Sequence, residues 1–246
     1  MPSTQVAGAA PDMTAQSSVT ASLQVCRTCG GGAPIDVHFC PQCTKILALG
    51  RHGDYFSFLG LPRKLGVEAG VLDRNFRALS RQFHPDYFYN APPTERRASL
   101  ERASYLNDAY RTLKDPSLRI EYLLELEGWS SVGAAGTNDR TGHVPATLLE
   151  EVFALNEELD AVREMRETGA PSGAWRLRLE RARHPIDAKR VAHEEELGAL
   201  SRQWDGLVDR GVSEAERTQV LGALRERMLE RRYISNLLAG IERELG

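Results

Sequence analysis

Residues 77–90 read RALSRQFHPDYFYN. With Leu72 and Phe76 upstream, Leu79 and Phe83 complete a stripe spaced 4, 3 and 4 residues apart. At about 100° per residue the four fall on one face of a helix. Arg74, Arg77 and Arg81 fall on the opposite side. The predicted helix, 71–83, thus has a core face and a basic face. An ordinary solvated face is the alternative. Against it, no acid intervenes among the exposed residues of the basic stripe, which favours a binding face. Pro85 ends the helix, because proline has no N–H and disfavours helical backbone at the preceding His84. Asp86 is left in the turn, where it either caps the next segment or accepts hydrogen bonds from a partner's arginine.

The surrounding segments are also helical. DYFSFLGLP (54–62) predicts a short helix or turn closed by Gly60 and Pro62. TERRASLERASYLNDAYRTLKD (94–115) predicts a second long helix with Thr94 as N-cap and a stripe of Leu100, Ala103, Leu106, Tyr110 and Leu113. The two long helices form a helical hairpin. Asp115-Pro116 is an N-cap followed by a first-turn proline, and it opens a helix that Gly128 stops.

Residues 129–145 have the Gly, Ser, Thr and Asn content of a linker. Residues 146–165 restore helical periodicity through Leu148, Leu149, Val152, Leu155, Leu159 and Val162. GAPSG (169–173) breaks it, 174–183 is a weak helix, and His184-Pro185 reads as a loop. Two more helices follow, 187–211 and 213–245, the second opened by a Ser213/Glu216 capping box. Three long amphipathic helices with short connections predict an antiparallel three-helix bundle.

All four cysteines lie in CRTCGGGAPIDVHFCPQC, as Cys26, Cys29, Cys40 and Cys43. Each C-x-x-C makes a knuckle that points two thiolates at one centre. Two such knuckles suit one tetrahedral Zn²⁺. Gly30 lets the first knuckle close, and Pro41 stiffens the second. Iron on four thiolates and a pair of redox disulfides are the alternatives. With every coordination place filled by sulfur, the metal's role is structural, and a segment this short needs it to fold. His38, between the knuckles, reads as loop polarity.

The predicted fold class is all-α: a helical hairpin and a C-terminal three-helix bundle, preceded by a small zinc-binding module. The expected organisation is a disordered tail (1–23), the tetracysteine module (24–48), the hairpin domain (52–128), a linker (129–145) and the bundle (146–246). The 246 residues are 41% hydrophobic and 26% charged, with net charge −3. That balance gives no electrostatic case for nucleic acid or anionic membrane. No run of apolar residues is long enough to span a bilayer. The first 25 residues lack both the basic start and the apolar core of a secretory signal, which points to a cytoplasmic protein.

DYFSFLGLP, FRALSRQFHPDYF and LNDAYRTLKDPSLRIEYLLELEG occur in order across 54–128. Together they resemble a J domain, and within that group the HscB co-chaperones of iron–sulfur cluster assembly. The tetracysteine segment resembles the module that some members carry. LLEEVFALNEELDAV and RRYISNLL resemble the HscB bundle. The resemblance implies a protein with no enzymatic chemistry of its own. Its J domain would dock on a DnaK/HscA-like ATPase chaperone and accelerate ATP hydrolysis. The docking residues would be His84, Pro85 and Asp86 with Arg74, Arg77 and Arg81. The bundle would carry an IscU-type scaffold on Leu149, Phe153 and Tyr233, with Glu157 on an acidic fringe. Phe153 lies off the main apolar stripe of its helix, which independently suggests an exposed anchor; packing against the J domain is the alternative. Two positions depart from the family pattern: Tyr87 stands where many J domains have lysine, and Ala161 where the fringe has an acid. A general J protein for unfolded clients and a cysteine-based iron or redox protein are the rival readings.

Overall fold

The computed structural model describes residues 23–35, 37–49, 53–129 and 148–246. The expected tail and most of the expected linker lie outside these. Strands β1 (Leu23–Val25) and β2 (Gly32–Pro34) pair antiparallel. Seven α-helices follow among the described residues: α1 (Tyr55–Phe58), α2 (Ala69–Gln82), α3 (Pro93–Lys114), α4 (Pro116–Leu126), α5 (Leu149–Glu167), α6 (Ser172–Arg210) and α7 (Glu214–Leu245). A single 3₁₀ turn, Pro85–Phe88, lies between α2 and α3. No helix among the described residues is long and apolar enough to cross a membrane.

Helices α2 and α3 form the hairpin. Asp73 accepts the Tyr110 hydroxyl at 2.8 Å, and the Phe83 carbonyl accepts the Ser99 hydroxyl at 2.7 Å, so the helices run antiparallel. Leu72 and Phe83 are buried between them with Leu106, Ala109 and Leu113, and Phe76 stacks on Tyr110 at 4.2 Å. The stripe predicted for α2 is therefore the one it buries. That of α3 differs. Leu100 is exposed, and the buried line runs Glu95, Ala98, Ser99, Arg102, Leu106, Ala109, Leu113. A polar face is tolerated there because another element satisfies it, as described below. Helix α3 starts after an N-cap at Pro92 rather than Thr94. At the other end, Asp115 caps α4 by accepting the Ser117 and Leu118 N–H groups, and Gly128 takes φ +78 just beyond it.

Helices α5, α6 and α7 form an up-down-up bundle. Ion pairs Lys189–Glu151 and Arg178–Glu158 set α5 antiparallel to α6, and Arg227–Glu196 and Arg183–Glu242 do so for α6 and α7. The α6–α7 hairpin is longer than α5 and has two cores. At the distal end, α5 completes a core of Leu148, Leu155, Val162, Leu179, Ile186, Ile234 and Ile241. At the proximal end α4 takes that place: Ile120, Leu123 and Leu124 pack with Trp204, Leu207, Leu221 and Leu224.

The helical-hairpin unit is also clamped to the bundle by polar groups. Asp205 accepts the backbone N–H groups of Leu65 and Gly66 at 2.6 and 2.7 Å. Trp204 donates to the Arg63 carbonyl at 3.0 Å, and Arg119 donates to the Leu65 carbonyl. A side chain at Gly66 would strike the Asp205 carboxylate, whose Oδ2 lies 2.6 Å from a Cβ placed there.

Two local expectations fail in the bundle. His184-Pro185 is not a loop but lies inside α6, a helix of 39 residues. Proline costs that helix one backbone hydrogen bond, yet the chain stays helical where Ile186, 2% exposed, sits in the distal core. The Ser213/Glu216 pair does not cap the backbone; the Ser213 hydroxyl donates to the Glu216 carboxylate at 3.1 Å instead.

Candidate functional site

The four cysteines converge. Sγ–Sγ distances are 3.7 Å for Cys26–Cys43 and for Cys29–Cys40, and all four sulfurs lie within 4.8 Å of one another. A tetrahedral ion with metal–sulfur bonds of about 2.3 Å would space its ligands about 3.8 Å apart. The backbone explains the convergence. In each knuckle the residue after the second cysteine has positive φ, +74 at Gly30 and +59 at Thr44. Its N–H reaches back to the first cysteine's carbonyl at 2.8 Å, Gly30 to Cys26 and Thr44 to Cys40. Gly30 is legible from sequence, whereas Thr44 in a left-handed conformation is not.

The thiols do not ionise alike. Burial pushes the Cys26 thiol up, but backbone N–H groups of Cys29 and Thr28 and the neighbouring thiols outweigh it and hold it down at about 6. At Cys43 the Lys45 N–H pulls down, but burial and the other three sulfurs push the thiol up to about 12. Four thiolates cannot share this space without a cation among them. The donor set therefore fits a metal.

His38 does not belong to loop polarity. Its ring packs edge-on against Phe58 and Phe83, with centroids 4.8 and 5.0 Å away. Its Nδ1 accepts from Arg102 Nη1 at 2.8 Å. Arg102 also donates to the Leu47 carbonyl at 2.8 Å and the Ala48 carbonyl at 3.3 Å. It is fully buried, and that burial pulls its guanidinium down to about 10. Lys45 lies 3.5 Å from buried Glu95. These contacts are why α3 turns charged residues inward. The cysteine module covers them.

At the helix stop, His84 caps the 3₁₀ turn, its Nδ1 accepting the Asp86 N–H at 3.3 Å. The Asp86 carboxylate is 85% exposed, with His84 Nδ1 3.5 Å away. Arg74, Arg77 and Arg81 are all exposed on the same helix. The basic face is not free of acids, however. Asp73 reaches Arg77 at 3.9 Å while bonded to Tyr110. Tyr87 and Tyr89 are exposed beside the turn.

On α5, Leu149, Phe153 and Glu157 follow one another at intervals of four residues on an exposed face. Phe153 is 66% exposed. Tyr233 is on α7, half-buried against the distal core that α5 helps to form. Leu149 belongs to this exposed face rather than to the buried stripe, which uses Leu148.

No protein-family model matches the sequence. The co-chaperone protein HscB homolog of Vibrio cholerae serotype O1 is 39% identical over 109 residues, 44% of this chain and 61% of the relative's length. The crystal structure of human co-chaperone protein HscB matches with TM-score 0.63 at 26% identity, covering 90% of this chain and 98% of that one. Over those 109 residues in sequence, and over most of its length in fold, this chain is similar to HscB proteins. The structure of HscB from Vibrio cholerae is similar at 28% identity and TM-score 0.49, over 78% of this chain and 96% of that one. The HscB-like fold places the three candidate sites on three different elements: the cysteine knuckles, the α2–3₁₀ junction and the outer face of α5.

Proposed function

We propose that this chain is a co-chaperone of iron–sulfur cluster assembly. Its J domain (52–128) stimulates a DnaK/HscA-like ATPase chaperone, and its bundle (146–246) carries an IscU-type scaffold. The observation that carries the reading is Asp86: a carboxylate 85% exposed, on a turn anchored by buried Phe83, beside three exposed arginines, in an HscB-like fold.

The arginines steer the J domain toward an acidic surface. Docking then offers the Asp86 carboxylate to a donor of the ATPase, and such a charge-assisted hydrogen bond is strong once water is excluded. A contact made only in one state of the ATPase biases it toward that state. The chain itself supplies no hydrolytic group in this scheme; the bond broken is in the partner's ATP. On the bundle, Phe153 and Leu149 give an apolar patch with Glu157 beside it. Tyr233 contributes from α7. At the N-terminus, Cys26, Cys29, Cys40 and Cys43 would hold one structural Zn²⁺, whose charge offsets that of the thiolates.

Single-turnover hydrolysis by the cognate chaperone tests the first half of the reading. His84→Gln removes the stimulation and leaves scaffold binding intact. Full stimulation by this variant would refute the site. Elemental analysis tests the metal: one zinc per chain and no visible absorbance is expected, whereas absorbance of a ferric or cluster type would establish iron.

A further inference from the structure

We infer that the cysteine module positions the His84-Pro85-Asp86 turn, with His38 and Arg102 as the positioning residues that join the metal knuckle to Phe83. The inference rests on the reading of that turn as the ATPase-docking site, and it extends the role of the metal beyond holding its own module together.

The linkage can be followed residue by residue. Residues 38–47 form a hairpin with Cys40 and Cys43 at its tip. Cys40 N–H donates to the Lys45 carbonyl at 2.9 Å, Phe39 bridges Ile46, and Leu47 N–H donates to the His38 carbonyl at 3.0 Å. A metal on the two thiolates closes the tip and so fixes the base. The base is what touches the J domain. His38 and Phe39 lie on Phe83, with ring centroids 5.0 and 6.1 Å away, and Ile46 enters the hairpin core.

Phe83 is the residue immediately before His84, and it is fully buried. Phe58 from α1 packs on it at 6.0 Å, and the Arg102 guanidinium lies 5.6 Å over its ring. The cysteine hairpin thus supplies two of the rings that lie on Phe83, His38 and Phe39. Arg102 gives the hairpin three hydrogen bonds, to His38, Leu47 and Ala48. Without them a buried guanidinium would face an unfilled site, at the full cost of an unsatisfied charge. Helix α3 and Phe83 would then rearrange together, because Ser99, one turn before Arg102, holds the Phe83 carbonyl.

The turn's second anchor is Phe88, half-buried against the same hairpin core that holds Phe83. None of Pro85–Phe88 is fully buried. Its backbone bonds are local: Tyr87 N–H to His84 at 3.0 Å, Tyr89 N–H to Asp86 at 3.4 Å and Ala91 N–H to Phe88 at 3.0 Å. A 3₁₀ turn with such bonds takes its direction from Phe83 and Phe88, both seated on the core that the cysteine hairpin covers. Presenting Asp86 in a fixed direction lowers the ordering cost of docking.

The test uses the full chain with metal content measured throughout. Hydrogen exchange at the Tyr87, Tyr89 and Ala91 amides reports the turn directly. ATPase titration separates half-maximal concentration from maximal rate. His38→Ala is expected to speed exchange at these amides and to raise the half-maximal concentration roughly fivefold to tenfold, with the maximal rate retained. His38→Phe keeps the ring and loses the acceptor, and falls between His38→Ala and the parent. If His38→Ala loses metal, Arg102→Met decides, because it lies outside the knuckles. Faster exchange with metal retained supports the inference. Unchanged exchange at all three amides in Arg102→Met and in chelator-treated protein overturns it. Failure of the parent chain to stimulate any ATPase would refute the docking reading instead, and the exchange data would still decide the linkage.

Discussion

His-Pro occurs at residues 84–85 and again at 184–185, and the chain treats the two differently. At the first, helix α2 ends, the turn leaves the surface, and Asp86 stands in solvent. At the second, helix α6 runs straight on. Both prolines lack an N–H to donate, so the difference comes from the neighbours. After Pro85 come Asp86 and Tyr87, both exposed, and the chain makes only a short 3₁₀ turn rather than continuing the α-helix. After Pro185 comes Ile186, buried among Leu155, Leu179 and Ile234, while Arg183 pairs with Asp187 and reaches Glu242. Tertiary burial on one side and a paired charge on the other keep the second proline in register. A proline thus becomes a helix stop only where no core claims the next residue.

Paired substitutions at these two sites should separate function from stability. Pro85→Ala is expected to abolish ATPase stimulation while leaving the unfolding midpoint nearly unchanged, as exposed positions do. Pro185→Ala should leave stimulation intact and raise stability, by up to about 3 kcal/mol in denaturant titration. If both altered stimulation equally, the contrast between the two dipeptides would be wrong. Ile186→Ala should cost about 2–5 kcal/mol of stability through the cavity it opens in the distal core. A loss below the range for exposed sites would mean that Ile186 is not what holds the helix through its proline. Phe153→Ala, on the exposed face of α5, should barely change stability but weaken scaffold binding by about 1–3 kcal/mol in calorimetry.

The smallest expected effect concerns a histidine in the opposite setting to His84. His193 is 5% exposed between α6 and α7, 3.7 Å from Glu230. Burial holds its imidazole below the ordinary histidine range; a hydrogen bond with the Arg227 backbone and the charge of Glu230 oppose this without reversing it. The unfolded chain therefore takes the proton more readily. His193 costs no stability above its unfolded pKa of about 6.5, and stability falls as the pH drops below that value. His193→Gln should flatten this part of the pH–stability curve. Identical curves for the two proteins between pH 7 and 5 would place the acid sensitivity elsewhere.

Much of this was legible locally. The Leu72–Phe83 stripe, the Asp115-Pro116 cap, the stop at Gly128 and the paired C-x-x-C knuckles each depend on residues within a few positions of one another, and the structure has all four. The exposed arginines and Phe153 follow from the same periodicity. What was not legible depends on distant neighbours. Arg102 reads as surface charge on α3 until the cysteine hairpin, more than 50 positions earlier, supplies its acceptors. His38 reads as loop polarity for the converse reason. Leu100 fits a helical stripe but lies on the wrong side of it, because Ala98, Ser99 and Arg102 face the module and Phe83. Pro185 obeys the local rule for helix stops and is overruled by Ile186.

Under the proposed function, Asp86 on its anchored turn drives an ATPase chaperone. Asp86→Asn keeps the size and shape of the side chain and removes its charge. In single-turnover hydrolysis by the cognate DnaK/HscA-like chaperone, the parent chain is predicted to accelerate ATP cleavage and Asp86→Asn to leave it at the basal rate, with the same helical content and metal. Equal acceleration by both proteins would contradict the account.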